Sequence, residues 1–409
     1  MRILWVKLGG LWPLDAGGRI RSFQMIEELA TRHEVSVITT EAPGESSVPL
    51  HRMLPRCRAV TTVPYTPRKR ASLRFLALLV RSWFSPRPVD VWRWRVPSFR
   101  AAVADALASG EHDLCVADFL VAVPNLPARM AVPVILFEHN VEYVIWQRLG
   151  RTVTAWQRPL IALEWRKLKR YESQALARAA VTVAVSGEDR AELERIAPRA
   201  EVRSIPTGVD AGYYAPATDP EIPDRLVFVG AMDWYPNEDA AVYLIEAILP
   251  LIRARVPGIS LTIVGRNPSA RLCAAGVDAA VSVTGTVPDV RPYVHEAEVV
   301  VVPLRIGGGT RLKIFEALAM EKAVVSTTVG AEGLPLRHGE HLLIADDPAS
   351  FADRVVSLLR TPALRRQVGA AGRRLVADGH SWRQVCRDFE RHCLDVLEAR
   401  TVDAPGPVA

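Results

Sequence analysis

Thirteen short runs rich in β-branched residues, separated by helix-length amphipathic segments, predict an α/β protein with doubly wound parallel sheets. Two further observations sharpen that reading. Several runs are apolar at nearly every position, as strands covered by helices on both faces must be. The rhythm also stops once: residues 206–224, PTGVDAGYYAPATDPEIPD, are rich in proline, glycine and aspartate and carry no helical period. The expectation is two Rossmann-like domains, residues 1–205 and 225–380, joined by a 206–224 linker and facing a central cleft.

In the first half the runs are ILWVKL (3–8), EVSVITT (34–40), AVTTVPY (59–65), DLCVADF (113–119), VPVILFEHN (132–140), VTVAVS (181–186) and EVRSIPT (201–207). In the second they are LVFVG (226–230), SLTIVG (260–265), VSVTG (281–285), VVVVPL (299–304), AVVST (323–327) and LLIA (342–345). Segments 18–31 and 238–254 have helical periods, and 146–178 reads as one long helix or a pair. The amphipathic stretch WRQVCRDFERHCLDVLEA marks a helix over 381–400, expected to return to the first domain, and 401–409 reads as a flexible tail.

At 409 residues the chain is long enough for two cores, and 49% hydrophobic with 23% charged residues is a globular composition. The net charge of +6 suits either an ordinary basic protein or one that attracts anions. Five scattered cysteines without CxxC spacing argue against a disulfide framework or zinc cluster and fit a reducing, cytoplasmic compartment. After MRILWVKLGG the chain turns to Pro13 and Asp15 too soon for a signal peptide, and no uncharged apolar run of about 18 residues exists. No nucleic-acid-binding module is recognisable, so no nucleic-acid partner is expected. GxGxxG with a downstream acid does not follow the first run, which disfavours an NAD-dependent oxidoreductase.

The most informative stretch is RIGGGTRLKIFEALA (305–319). It falls between a strand and a helix, on the carboxyl edge of a parallel sheet, where ligands of such sheets bind. Gly307, Gly308 and Gly309 leave room for a close approach, and a helix beginning near Thr310 would aim unpaired N–H groups at the same space. Arg311 and Lys313 are unfavourable in a first helical turn unless an anion lies nearby. Arg offers a fork for phosphate oxygens and Lys a point charge. Glu316 would suit two ribose hydroxyls. A plain flexible turn with solvated cations, and a helix glutamate facing water, are the alternatives. The stretch is neither GxxxxGK[ST] nor GxGxxG.

Taken together, these residues make the chain resemble the retaining GT-B glycosyltransferases of the group 1 class, glycosyltransferase family 4. LWPLDAGGRIRSFQMIEELATRHEVSVITT is similar to that family's first strand, glycine loop, helix and second strand. PTGVD (206–210) resembles its interdomain PNGVD, with Thr207 for the usual asparagine. FVGAMDWYPNEDA (228–240), TIVGRNP, VTGTVPDVRPY and GGGTRLKIFEALAMEKAVVSTTVGAEGL resemble successive parts of the nucleotide-binding domain. The branch it most resembles includes exopolysaccharide and exosortase-associated sugar transferases. Two departures stand out. Of the family's two glutamates eight positions apart, Glu316 matches the second and the first falls on Gly308. Where many members carry Arg and Lys after the first strand of the second domain, this chain has Met232, Asp233, Trp234 and Tyr235.

The resemblance implies transfer of a sugar from a nucleoside diphosphate sugar, with retained configuration, to a lipid-linked or glycan acceptor. No DxD pair occurs, so protein charge rather than a metal is expected to stabilise the leaving diphosphate, and no cofactor is called for. Arg311 and Lys313 are the candidate cations, with Arg305 and Arg266 behind them. Gly17 and Gly18 would let the first loop approach the diphosphate. Asp233, Trp234 and Asn237 would line the donor pocket, and the base would meet backbone near Val287 and Pro288. FEHNVEY (137–143) sets Glu138, His139, Asn140 and Glu142 on the acceptor side, with His139 matching the family's histidine near the reacting sugar. A histidine that only caps its strand is the plainer alternative. A non-catalytic sugar-nucleotide-binding protein and a nucleotide-sugar epimerase remain as alternative functions.

Residues 65–95 hold eight Arg/Lys against one Asp, interleaved with Phe75, Trp83, Phe84, Trp92 and Trp94. Such a basic, aromatic stretch fits either peripheral docking on an anionic membrane, at its inner face, or a core helix with a cationic solvent side.

Overall fold

The computed structural model describes residues 1–14, 17–42, 49–66, 72–218, 220–275, 278–306 and 312–403. Among them, thirteen strands form two all-parallel sheets, and every predicted run overlaps one. The chain divides into two compact units, residues 1–205 with 385 onward, and residues 206–384.

In the first unit β1 (Arg2–Lys7), β2 (Glu34–Glu41), β3 (Ala59–Pro64), β4 (Leu114–Asp118), β5 (Val134–Phe137), β6 (Val181–Ala184) and β7 (Val202–Ser204) lie in the order β3-β2-β1-β4-β5-β6-β7. β4, β5 and β6 are buried at every position because helices cover both faces. The winding direction reverses between β1 and β4, where Lys7 lies in register with Asp118. Ligand crevices of such sheets open at this reversal, outside the carboxyl ends of the strands. The 146–178 stretch resolves into two helices, Glu142–Thr152 and Arg158–Leu176.

In the second unit β8 (Arg225–Val229), β9 (Ser260–Val264), β10 (Val281–Val283), β11 (Val299–Val302), β12 (Ala323–Ser326) and β13 (Leu343–Ile344) take the order β10-β9-β8-β11-β12-β13. The reversal here lies between β8 and β11. The turn after β8 is packed so tightly that a Cβ on Gly265 would lie 1.7 Å from the Gly230 carbonyl oxygen. The glycine-rich stretch follows β11, so its anchors sit at the reversal, and the next helix is Leu312–Ala319.

Residues 206–224, expected as a linker, are built into the second unit. Thr207 and Val209 are buried, and Val209 forms a bridge with Ser381. The final helix, Trp382–Asp403, enters the first unit as expected: Phe389 packs against Trp5 and Phe137 at centroid distances of 5.7 and 5.2 Å. It runs three residues into the stretch expected as a tail, and 404–409 lie outside the described residues. No helix among the described residues is long and apolar enough to cross a membrane.

Candidate functional site

In the first unit, β1, β4 and β5 deliver charged side chains to one point. Asp118 ends β4 and is fully buried; its Oδ1 lies 3.4 Å from Lys7 Nζ and 2.9 Å from His139 Nε2, and its Oδ2 accepts from Trp5 Nε1 at 2.8 Å. Burial alone would raise the Asp118 carboxyl, but Lys7, His139 and a hydrogen bond from Ser22 outweigh it and hold the group well below the usual range. Burial pushes the His139 imidazole down to about 4 despite the attraction of Asp118, so the ring is neutral at pH 7. Burial likewise lowers Lys7, and lowers Arg21 to about 10.

His139 is 5% exposed and stacks on Phe119, ring centroids 3.9 Å apart, with Lys7 Nζ 4.3 Å above the same Phe119 ring. Phe119 is held at φ 71°, a region costly for a bulky residue. Gly18, in the first turn of the helix Gly17–Leu29, faces this ring; a Cβ there would lie 2.7 Å from Phe119 Cζ. Glycine at position 18 therefore reflects close approach of a side chain, not only a turn.

The acceptor-side expectations divide. Glu138 was expected at an edge facing a cleft, but it is 1% exposed, and its Oε2 accepts from Leu120 N–H at 3.2 Å. Burial, then the facing carboxylates Glu172 and Glu142, push its carboxyl well above the ordinary value, so its place is interior. Asn140 and Glu142 are half-buried at the start of the helix Glu142–Thr152, and Asn140 Nδ2 donates to Glu142 Oε1 at 3.4 Å.

In the second unit, Lys313 and Glu316 stand one helical turn apart and line a pocket with Tyr214, Val229, Val290 and Met320. Lys313 Nζ donates to Asn237 Oδ1 at 2.8 Å and lies 4.6 Å above the Phe228 ring, beside Gly230. Asn237 in turn donates to the Ala231 carbonyl at 2.9 Å. Glu316 accepts a hydrogen bond from Tyr214; burial pushes its carboxyl up, opposed by that bond and by Lys313. Burial and Glu316 together push the Tyr214 phenol up.

Other expected residues lie apart from this pocket wall. Asp233 and Trp234 are exposed, and Asp233 pairs with Arg266 at 3.2 Å. Arg305 pairs with Asp239 at 2.6 Å and lies over the Tyr243 ring at 4.3 Å, so both weaker candidate cations already have carboxylate partners. Val287 is half-buried against the second unit's core, and Gly17 is exposed. Gly307, Gly308, Gly309, Thr310 and Arg311 lie outside the described residues. The expectations missed Lys7, Asp118, Phe119 and Tyr214; the signal for the first two was a charge closing an otherwise apolar strand.

Two parallel α/β units, each with charged side chains at the reversal of its sheet, define a protein of the GT-B fold. Residues 223–361 match the model of the group 1 glycosyl transferases, and residues 17–213 that of Glycosyltransferase Family 4. Together the two matches reach both halves of the chain and support a group 1, family 4 glycosyltransferase. Among curated proteins it is 30% identical over 197 residues to a phosphatidyl-myo-inositol mannosyltransferase of Mycobacterium leprae, covering 46% of this chain and 52% of that one. It is 25% identical over 143 residues to an uncharacterized 44.6 kDa protein of the cps region of Klebsiella pneumoniae, covering 32% of this chain and 36% of that one. The matched stretches thus span about half and about a third of those relatives. Among solved structures it is similar to a sucrose-phosphate synthase from Thermosynechococcus elongatus, with TM-score 0.76, 20% identity and coverage of 97% and 99%. It is also similar to HepE of Anabaena in complex with UDP and glucose, with TM-score 0.66, 12% identity and coverage of 96% and 99%.

Proposed function

We propose that the chain transfers a sugar from a nucleoside diphosphate sugar to an acceptor hydroxyl, with retained anomeric configuration, in polysaccharide or glycoconjugate synthesis in the cytoplasm. The observation that carries this reading is the pairing of Lys313 and Glu316 on one helix face, lining one pocket at the sheet reversal. A carboxylate there suits ribose hydroxyls, and an ammonium beside the carboxyl end of β8 suits a diphosphate. The relatives support the donor class: one neighbour is a complex with UDP and glucose, and one relative is named as a mannosyltransferase.

In the reaction, the bond between the sugar's anomeric carbon and the diphosphate oxygen breaks, and its electron pair leaves with the diphosphate. The acceptor oxygen bonds to that carbon and gives up its proton, which the departing diphosphate can accept. Lys313, with Arg311 from the adjoining stretch, stabilises the developing charge; the sequence has no DxD pair, so the reading calls for no metal. In the first unit, His139 keeps a neutral imidazole suited to hydrogen-bonding a hydroxyl, its ring held by Asp118 and Phe119.

A thermal-shift panel of UDP-, GDP- and ADP-sugars, followed by turnover of the sugar that binds, tests the reading. A ligand at about 100 times its dissociation constant adds about 2.7 kcal/mol of stability. Lys313→Ala should lower turnover by about 10² to 10³, the cost of one preorganised charge donor. Glu316→Gln should raise KM for the donor. Binding without turnover would instead indicate a sugar-nucleotide-binding protein. Wild-type kinetics in both variants would refute the assignment of the pocket.

A further inference from the structure

The helix Leu73–Trp83 turns an apolar face outward. Leu73 is 85% exposed, Leu76 52%, Val80 41% and Phe84, at the helix end, 86%. Their spacing of three, four and four residues puts them on one side of the helix. The opposite side is also apolar: Phe75 and Leu78 pack with Val89 into a small core of their own, against Trp92 and Trp146. A helix apolar on both sides has one side too many for a surface position, and singly scattered exposed apolar residues do not form such a row.

The two sequence stretches that carry this helix and its neighbours are strongly cationic. Residues 65–95 carry eight Arg/Lys and one acid, and residues 143–171 carry seven Arg/Lys and one acid. Both acids are engaged internally. Asp90 accepts from Trp146 Nε1 at 2.9 Å. Glu164, 2% exposed, accepts from Ser82 Oγ at 2.6 Å and Val89 N–H at 2.8 Å, and pairs with Lys167. Those bonds clamp the exposed helix to the helix Arg158–Leu176, whose Leu163 is also exposed. Arg81 and Arg87 remain outward, with their guanidinium carbons 4.3 and 5.5 Å above the Trp92 ring.

We infer that this face is a docking surface for an anionic lipid bilayer, with Leu73, Leu76, Val80 and Phe84 entering the interface and the exposed Arg81 and Arg87 meeting lipid phosphates. A second copy of the chain would bring the same cationic rim against itself, which is why lipid is the occupant favoured by the charge. This inference is independent of the sugar-transfer reading.

The test is co-sedimentation of the full chain with phosphatidylcholine vesicles, with and without about 30% phosphatidylglycerol, at low and high salt. Binding should require the anionic lipid and weaken as salt rises. Leu76→Glu/Val80→Glu should lower the partition coefficient about tenfold or more for each side chain withdrawn from the interface. Phe84→Ser provides a second variant outside the helix body. Each variant should keep the wild-type melting temperature. Absence of binding to anionic vesicles at low salt would overturn the inference, as would wild-type binding by both variants. A lipid-independent dimer that these variants dissolve would assign the face to a second copy instead.

Discussion

Lys313 Nζ donates to Asn237 Oδ1 across 2.8 Å, tying the helix Leu312–Ala319 to the first turn of the helix Tyr235–Tyr243. Both side chains crowd Gly230: a Cβ there would lie 2.8 Å from Lys313 Nζ and from Asn237 Cγ. A Cβ on the neighbouring Gly265 would meet backbone instead, 1.7 Å from the Gly230 oxygen. The two glycines therefore make separable predictions. Gly265→Ala should cost about 3 kcal/mol or more, because a backbone atom cannot step aside. Gly230→Ala should cost only about 1 kcal/mol, since side-chain ends can move. It should nevertheless lower turnover about tenfold or more by displacing the ammonium. Chemical denaturation and steady-state kinetics on both variants check this contrast.

Tyr214 holds Glu316 in the free protein. Tyr214→Phe should cost about 1–2 kcal/mol, the range for a hydrogen bond to an acidic group. It should also enlarge the thermal shift produced by UDP, because ribose hydroxyls no longer compete with the phenol. An unchanged shift would mean that Glu316 does not meet the ribose.

His139, neutral with a pKa of about 4, implies a pH dependence of stability. Between about 4 and 6.5 the unfolded chain binds a proton that the folded one excludes, so stability is full above about 6.5 and falls as pH drops toward 4. The size is on the order of 3 kcal/mol. Glu138 and Glu172, whose carboxyls are raised, act in the opposite sense, so the comparison is wild type against His139→Gln across that range. The variant should lack the added acid sensitivity. If urea titrations show wild type and variant losing the same unfolding free energy between pH 7 and 4.5, the buried neutral ring is contradicted.

Gly18→Ala should act through Phe119. The new methyl meets a ring that is fixed by its backbone and stacked on His139 at 3.9 Å, so the imidazole must shift. About 1–3 kcal/mol of stability should go, with a turnover loss of about tenfold or more per folded molecule.

The strands were legible because a parallel sheet covered on both faces demands uninterrupted β-branched residues, as in VVVV of β11. The final helix was legible from its amphipathic period. Its partners were not, since Phe389 meets Trp5 across most of the chain length. At the candidate site, Lys313 and Glu316 stood out as charges in an apolar helix. Asp118 and Lys7 did not, because only the β1–β4 register brings them together. Tyr214 was hidden in a proline-rich stretch whose composition says turn and whose packing is tertiary. Glu138 was misplaced outward because neighbours in sequence at a strand end need not share a side of the sheet.

The last helix, with Phe389 lodged between Trp5 and Phe137, also dictates an order of assembly. The second unit is one contiguous segment and can close as soon as it leaves the ribosome. The first unit, although translated earlier, waits with its Trp5–Phe137 surface uncovered until the helix Trp382–Asp403 has been made and supplies the missing wall. Truncating the chain before residue 385 would therefore damage the half made first.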